Sequence, residues 1–142
     1  MPDKETLERA REDAREGKSA STQAGEFVRE EIHHIREGKH GAASAKQAIA
    51  IGLSKARRSG IKLAPPKASA SASTKKQAAR DSRKGQTGSA DHPSPARSKA
   101  VSRALKREGH SAASHAALSR HAKTVAQKRS PAGRKRSTTQ AA

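Results

Sequence analysis

Large apolar side chains are scarce in this chain of 142 residues, because only fourteen residues are Leu, Ile, Val or Phe. Chains with less than about 20% of these residues and a high net charge usually cannot bury enough surface to offset chain entropy. Alanine is abundant and favours helix, but it removes little area from water when it is buried. The sequence therefore predicts an all-α protein with short helices, a small core and extensive disorder.

Positive charge is concentrated after residue 37. Residues 1–37 hold seven Lys/Arg and ten Asp/Glu, a net charge of −3, whereas the rest of the chain holds 24 against three, a net charge of +21. A long field of one sign attracts polyanions, and DNA and RNA are the abundant polyanions of a cell. We therefore expect nucleic acid as the partner, and neither a membrane nor a small-molecule substrate.

The chain offers no features of secretion or membrane insertion. It contains no cysteine, and its most apolar stretch, residues 48–53, is only six residues long. A bilayer span needs about 18 apolar residues, and a secretory signal needs an apolar segment near the N-terminus. We expect a cytoplasmic protein that associates with the nucleoid.

Capping residues and apolar spacing divide the chain into five predicted segments. Asp3 can cap a first, mostly solvated helix that Gly17 ends, and Gly60 before two prolines can end the last helix of the next segment. The predicted segments are a charged N-terminal helix (1–20), a helical module (21–63), a disordered basic linker (64–93), a pair of basic helices (94–130) and a disordered tail (131–142).

The helical module contains the strongest patterns. Ser19 is one candidate cap, and the apolar residues that follow recur at spacings of three and four, as on one face of a helix. Ser44 with Gln47 matches a capping box at the start of a further helix. The apolar face of the first of these helices consists of Phe27, Val28, Ile32 and Ile35.

A weak internal repeat links the module to the C-terminal helices. Residues 36–44 (REGKHGAAS) are similar to residues 107–114 (REGHSAAS) with one residue deleted. If the two segments share an architecture, each is a helix, a glycine turn and a helix capped by serine. The alternative is that a composition rich in Ala, Ser and basic residues produces such matches by chance.

The candidate nucleic-acid-binding residues are lysines and arginines that could contact phosphates. One group lies on the last helix of the module and its exit, namely Lys46, Lys55, Arg57, Arg58 and Lys62. The other group is C-terminal, namely Arg97, Lys99, Arg103, Lys106, Arg107, Arg120, Lys123, Lys128, Arg129, Arg134, Lys135 and Arg136. Binding through such contacts weakens steeply with salt and depends little on base sequence. The alternative is that these cations only solvate helices and complement their C-terminal dipoles.

The sequence gives little support for a base-stacking, metal-binding or catalytic site. Phe27 is the only residue among Phe, Tyr and Trp, so the stacking platforms of single-strand readers are missing. The seven histidines do not repeat at the i, i+4 spacing of a helical ligand pair, so we expect no metal and no cofactor. The carboxylates lack a nearby nucleophile or phosphate loop, and we expect no enzymatic activity.

Two further functions remain open. Basic disordered segments also penetrate folded RNA, so the protein could associate with ribosomes or with other structured RNA. Alternatively, the apolar helix face of Phe27, Val28, Ile32 and Ile35 could mediate self-association. Nonspecific binding of duplex DNA is the prediction that the charge distribution favours most.

Several segments resemble known sequences. Residues 21–32 (STQAGEFVREEI), the turn at 36–41 and residues 46–57 (KQAIAIGLSKAR) resemble an uncharacterised family of small basic bacterial proteins. The segment 100–110 and the tail that follows resemble the C-terminal part of its longer members. The Ser94-Pro95 and Ser130-Pro131 elements are similar to the Ser-Pro-basic elements of linker-histone tails. The resemblance implies at most a DNA-binding or histone-like role.

Overall fold

The computed structural model describes residues 2–88 and 93–128, and within these ranges the chain is helical without any strand. The elements are α1 (Lys4–Arg15), α2 (Ala20–Arg36), α3 (Ala45–Arg58), α4 (Ala72–Thr87), α5 (Pro95–Arg107), a 3₁₀ turn (Ser111–Ala113) and α6 (His115–Gln127). The all-α prediction is confirmed for this part of the chain. The tail predicted for residues 131–142 lies outside the described residues, and none of the described helices could cross a membrane.

Serine side chains start most of the helices. Ser19, Ser44, Ser94 and Ser114 each accept a hydrogen bond from the backbone N–H three residues further on. This interaction satisfies a donor that a helix start otherwise leaves free. Asp3 is the exception, because it precedes α1 without making a side-chain cap. The caps predicted at Ser19 and Ser44 are therefore confirmed, whereas the cap predicted at Asp3 is not formed.

The core consists of two small clusters that follow each other along α2. Phe27 and Ile35 are both fully buried, and each belongs to a different cluster. Ile32 is also buried, and Val28 is half-buried. The apolar face of α2 thus packs inside the chain, and it is not available as the self-association surface that the sequence suggested.

The N-terminal helix is less solvated than the sequence predicts. Thr6, Ala10 and Asp13 are buried where α1 packs against α2. The guanidinium of Arg9 also donates from Nε to Oε2 of Glu26 on α2, at 2.6 Å. Small and polar side chains therefore provide a contact that the count of large apolar residues does not reveal.

The predicted linker contains a helix, and this is the largest correction. The 16-residue α4 packs against α3 and buries Ala78 and Asp81. A Cβ atom on Gly85 would lie 2.0 Å from the carbonyl oxygen of Arg57, so glycine is what lets α4 approach α3 so closely. The prediction assumed that burial requires large apolar residues, whereas alanine, glycine and a hydrogen-bonded aspartate are sufficient here.

The two predicted C-terminal helices form, but they do not pack on each other. α6 contacts α3 and the 3₁₀ turn, while α5 has no buried residue and makes no extensive contact with another described helix. Val101 on α5 remains 53% exposed. The two helices predicted for this segment therefore form, and their few apolar residues do not hold them together.

The two copies of the internal repeat contact each other through their turns. The N–H of Gly41 donates to the carbonyl of Leu105, and the N–H of Ala42 donates to that of Gly109. Arg36 donates from Nε to the carbonyl of Ala113 at 2.9 Å. Each copy is a helix, a turn and a helix with a serine cap, so the repeat describes a shared local architecture.

Candidate nucleic-acid interface

A basic groove lies where the end of α3, one face of α4 and the start of α5 meet. Its volume is about 660 Å³. Five cationic residues line it, namely Arg58, Arg80, Arg83, Lys84 and Arg97. Three helices thus contribute positive charge to one concave surface.

Among the described residues that line this groove, Asp81 is the one carboxylate residue, and its oxygens already have partners. Ser54 donates from Oγ to Oδ2 at 2.6 Å, and Gln77 donates from Nε2 to Oδ1 at 3.1 Å. Arg58 Nε lies 3.5 Å from Oδ1. Cationic residues therefore outnumber carboxylates among the described lining residues, a suitable environment for phosphates.

The periodicity of α4 explains why its cations share one face. Arg83 and Lys84 follow Arg80 by three and four residues, and positions at these spacings are neighbours on a helix surface. Ala78 and Asp81 face α3, and this burial sets the rotation of α4. The fold thereby directs the basic face of α4 into the groove.

The predicted site residues of the module separate into two groups. Arg58 lines the groove, while Lys46 and Lys62 are exposed elsewhere. Arg57 is half-buried and donates from Nη2 to the carbonyl of Ala64 at 3.2 Å. The structure therefore brings only one of these four residues into the groove.

Lys55, the fifth predicted residue, turns away from the groove. Its ammonium donates to Oε1 of Glu31 and lies 3.5 Å from Oε1 of Glu30. Both glutamates are buried, so their charges need a nearby cation. Lys55 is therefore an internal ion-pair residue, and the structure does not place it with the cations of the groove.

The C-terminal candidates lie mostly on exposed helix surfaces. Arg97 lines the groove. The exposed residues outside it are Lys99, Arg103, Lys106, Arg107, Arg120, Lys123 and Lys128. Arg129, Arg134, Lys135 and Arg136 lie outside the described residues.

Sequence reasoning missed the contribution of α4. The predicted linker of residues 64–93 includes Arg80, Arg83 and Lys84, although Ser71 supplies a serine cap to the helix that contains them. A run of cations at helical spacing after such a cap was the available signal. The missing large apolar residues concealed it.

Cations in the acidic N-terminal part are engaged by carboxylates instead. The hydrogen bond to Glu26 raises the pKa of the Arg9 guanidinium, and the hydrogen bonds to Asp13 and Glu16 raise the pKa of the Lys18 ammonium. Both shifts favour the charged, paired form. These two cations therefore contribute less to a phosphate-binding surface than those of the groove.

Comparison with known proteins gives one match. None of the curated proteins and none of the solved structures matches this chain. A family of proteins matches a stretch of the chain that begins at the end of α1, covers α2 and α3, and stops before α4. This stretch, residues 15–68, is similar to DUF6496, a family of unknown function.

Proposed function

We propose that this protein binds nucleic acid nonspecifically through its positive charge, with duplex DNA as the preferred partner. The observation that carries the proposal is the groove in which Arg58, Arg80, Arg83 and Arg97 surround Asp81, the one carboxylate among the described lining residues. Exposed lysines and arginines of α5 and α6 extend the positive surface. A nucleoid-associated role in the cytoplasm follows from this proposal.

Phosphate contacts supply the binding free energy in this mechanism. Each phosphate that a Lys or Arg neutralises releases condensed counterions, which makes the affinity strongly dependent on salt. The only aromatic residue outside the histidines, Phe27, is fully buried in the core, so it cannot stack on bases. Contacts of this kind position a protein on the backbone and carry little sequence information.

The test is a salt titration of binding to duplex DNA and to structured RNA of equal length. The triple variant Arg80→Gln, Arg83→Gln and Arg97→Gln removes three charges from the groove while it keeps helix-compatible side chains. The matched control, Lys4→Gln, Arg11→Gln and Arg15→Gln, removes three exposed charges from α1.

We expect steep salt dependence for the unmodified protein and at least equal affinity for duplex DNA. If all three cations contact duplex phosphates, the groove variant lowers the magnitude of the slope of log K against log salt by about 2 to 3. The α1 variant should leave this slope nearly unchanged. Equal losses in the two variants would contradict a role for the groove, and a clear preference for RNA would favour the ribosomal alternative.

A further inference from the structure

A cluster of acidic residues and histidines lies on the side of α2 that faces Asp3, the turn after α2, and α3. It contains Glu30, Glu31 and His34 of α2, together with His40 and Lys55. Glu30 and Glu31 are buried, and the side chains of His34 and His40 are only 13% and 17% exposed. The nucleic-acid proposal does not use this cluster.

We propose that Glu31, His34 and His40 form a binding site for a divalent transition-metal ion such as Zn²⁺. Each residue can offer one ligand atom, and the three atoms lie within 4.8 Å of one another. Ligand atoms around tetrahedral Zn²⁺ are about 3.3 Å apart, given bond lengths of about 2.0–2.1 Å. Two imidazoles and one carboxylate, with a fourth position open, are a ligand set that Zn²⁺ accepts.

The outer nitrogen of each imidazole already has a hydrogen-bond partner. Nε2 of His34 lies 3.2 Å from Oδ2 of Asp3, and Nδ1 of His40 lies 3.0 Å from the carbonyl oxygen of Gly41. Metal-binding histidines usually donate their second N–H to a carboxylate or a backbone carbonyl, which orients the ring. This arrangement leaves Nδ1 of His34 and Nε2 of His40 for Glu31.

Glu31 supplies the second observation. Lys55 binds its Oε1, whereas its Oε2 is buried and has no hydrogen-bond partner. Nε2 of His40 lies only 3.0 Å from Oε2, but the two atoms are not aligned as donor and acceptor. Atoms that bind a common ion point toward the ion instead of toward each other. An unpaired buried carboxylate oxygen is costly, and a cation between these atoms would remove that cost.

The local charge also suits a divalent cation. Glu30 and Glu31 carry two negative charges and Lys55 carries one positive charge, so the cluster has a formal charge of −1 when both rings are neutral, and the carboxylate of Asp3 beside His34 adds a further negative charge. A cleft of about 270 Å³, lined in part by Asp3, Glu30 and His34, borders the cluster. A bound ion would connect α2 to its following turn and stabilise the folded state.

The sequence-based expectation of no metal rested on the spacing of histidines alone. Glu31 and His34 are three residues apart on α2, which places both on one face of the helix. His40 reaches them only because the turn after α2 folds back. The spacing of three residues between Glu31 and His34 was the available signal, and pairs of histidines alone do not reveal it.

The test uses the full-length, tag-free and metal-stripped protein. Zn²⁺ binding is measured by calorimetry and by the shift in Tm, and long-range ¹H–¹⁵N spectra identify which imidazole nitrogens coordinate. We expect one equivalent of Zn²⁺, a higher Tm, and coordination by Nδ1 of His34 and Nε2 of His40. Coordination by other histidines, or no binding, would overturn the proposal without any mutation.

Variants provide the second arm of the test. His40→Gln and Glu31→Gln should each weaken Zn²⁺ binding at least tenfold, in line with the loss of a direct ligand. His33→Gln is the matched control, because His33 is exposed on the same helix and lies outside the ligand set. Helix content from circular dichroism confirms that each variant folds. Equal affinity in the His40 variant and the control would refute the site.

Discussion

The two copies of the internal repeat begin with similar sequences and end in different packing. In the first copy, α2 and α3 form the most extensive helix–helix contact in the described chain. In the second copy, α5 and α6 make no such contact with each other. A Cβ atom on Gly52 of α3 would lie 2.7 Å from Cα of Val28 of α2, which shows how closely the first pair approaches.

The difference shows that helix formation and helix packing have separate causes in this chain. Both copies contain a glycine after the first helix and a serine cap before the second, and the caps start both α3 and α6. Only the first copy also carries side chains such as Phe27 and Ile35 that become fully buried. Val101 and Val125 of the second copy remain 53% and 41% exposed.

Replacement of the largest core side chain should separate the two copies most clearly. Phe27→Ala removes a fully buried ring, so we expect a loss of about 3–5 kcal/mol in the free energy of unfolding. Val101→Ala on the exposed face of α5 should change it by less than about 0.5 kcal/mol. Chemical denaturation followed by circular dichroism measures both. Similar losses would show that the second copy is packed as firmly as the first.

Replacing a lysine should likewise destabilise the protein more in the first copy than in the second. Lys55→Met leaves Glu30 and Glu31 buried without their ammonium partner, and we expect a loss of about 3 kcal/mol in the free energy of unfolding. Lys106→Met removes an exposed charge from α5 and should cost less than about 0.5 kcal/mol. Denaturation at neutral pH in metal-free buffer compares the two. Equal effects would contradict the assignment of Lys55 to an internal cluster.

A single methyl group added at Gly41 should break the contact between the two copies. A Cβ atom on Gly41 would lie 2.0 Å from the carbonyl oxygen of Glu108. Gly41→Ala should therefore cost about 1–3 kcal/mol through overpacking, and most of the change should fall on the second copy. Hydrogen exchange should show faster exchange in α5 and α6 with little change in α2 and α3. Uniformly faster exchange would indicate that the copies unfold together.

The smallest expected effect comes from equivalent caps in the two copies. Ser44→Ala should lower the global free energy of unfolding by about 1 kcal/mol, because α3 belongs to the packed core. Ser114→Ala removes the matching hydrogen bond of α6 and should mainly reduce local helicity. Denaturation midpoints and helix content distinguish the two outcomes. Identical midpoint shifts would contradict the contrast between the copies.

Sequence reasoning located the helices better than the contacts between them. Ser94 with Pro95 predicts the start of α5, and Gly60 with Ile61 predicts the end of α3, where the N–H of Ile61 donates to the carbonyl of Ala56. α4 was missed because its burial depends on Ala78 and Asp81 rather than on large apolar residues. Contacts of that kind leave no apolar periodicity in the sequence.

For the candidate binding sites too, the sequence identifies the residues better than it identifies their contacts. Arg58 and Arg97 were predicted as phosphate-binding residues and do line the groove, whereas Lys55 has the same charge and faces two buried glutamates. Charge is a property of the residue, but its availability depends on what the fold places next to it. The cluster of Glu31, His34 and His40 likewise exists only because the turn after α2 brings His40 back.

Composition, caps and glycines were enough to establish an all-α chain with a small core and a strongly basic C-terminal part. These properties depend on neighbours within a few residues or on sums over the chain, and both can be read directly from the sequence. The position of α4, the basic groove and the buried Glu–His–Lys cluster required the tertiary structure. Each depends on side chains that are distant in sequence, and glycine, alanine and hydrogen-bonded polar groups permit such contacts without an apolar pattern that would predict them.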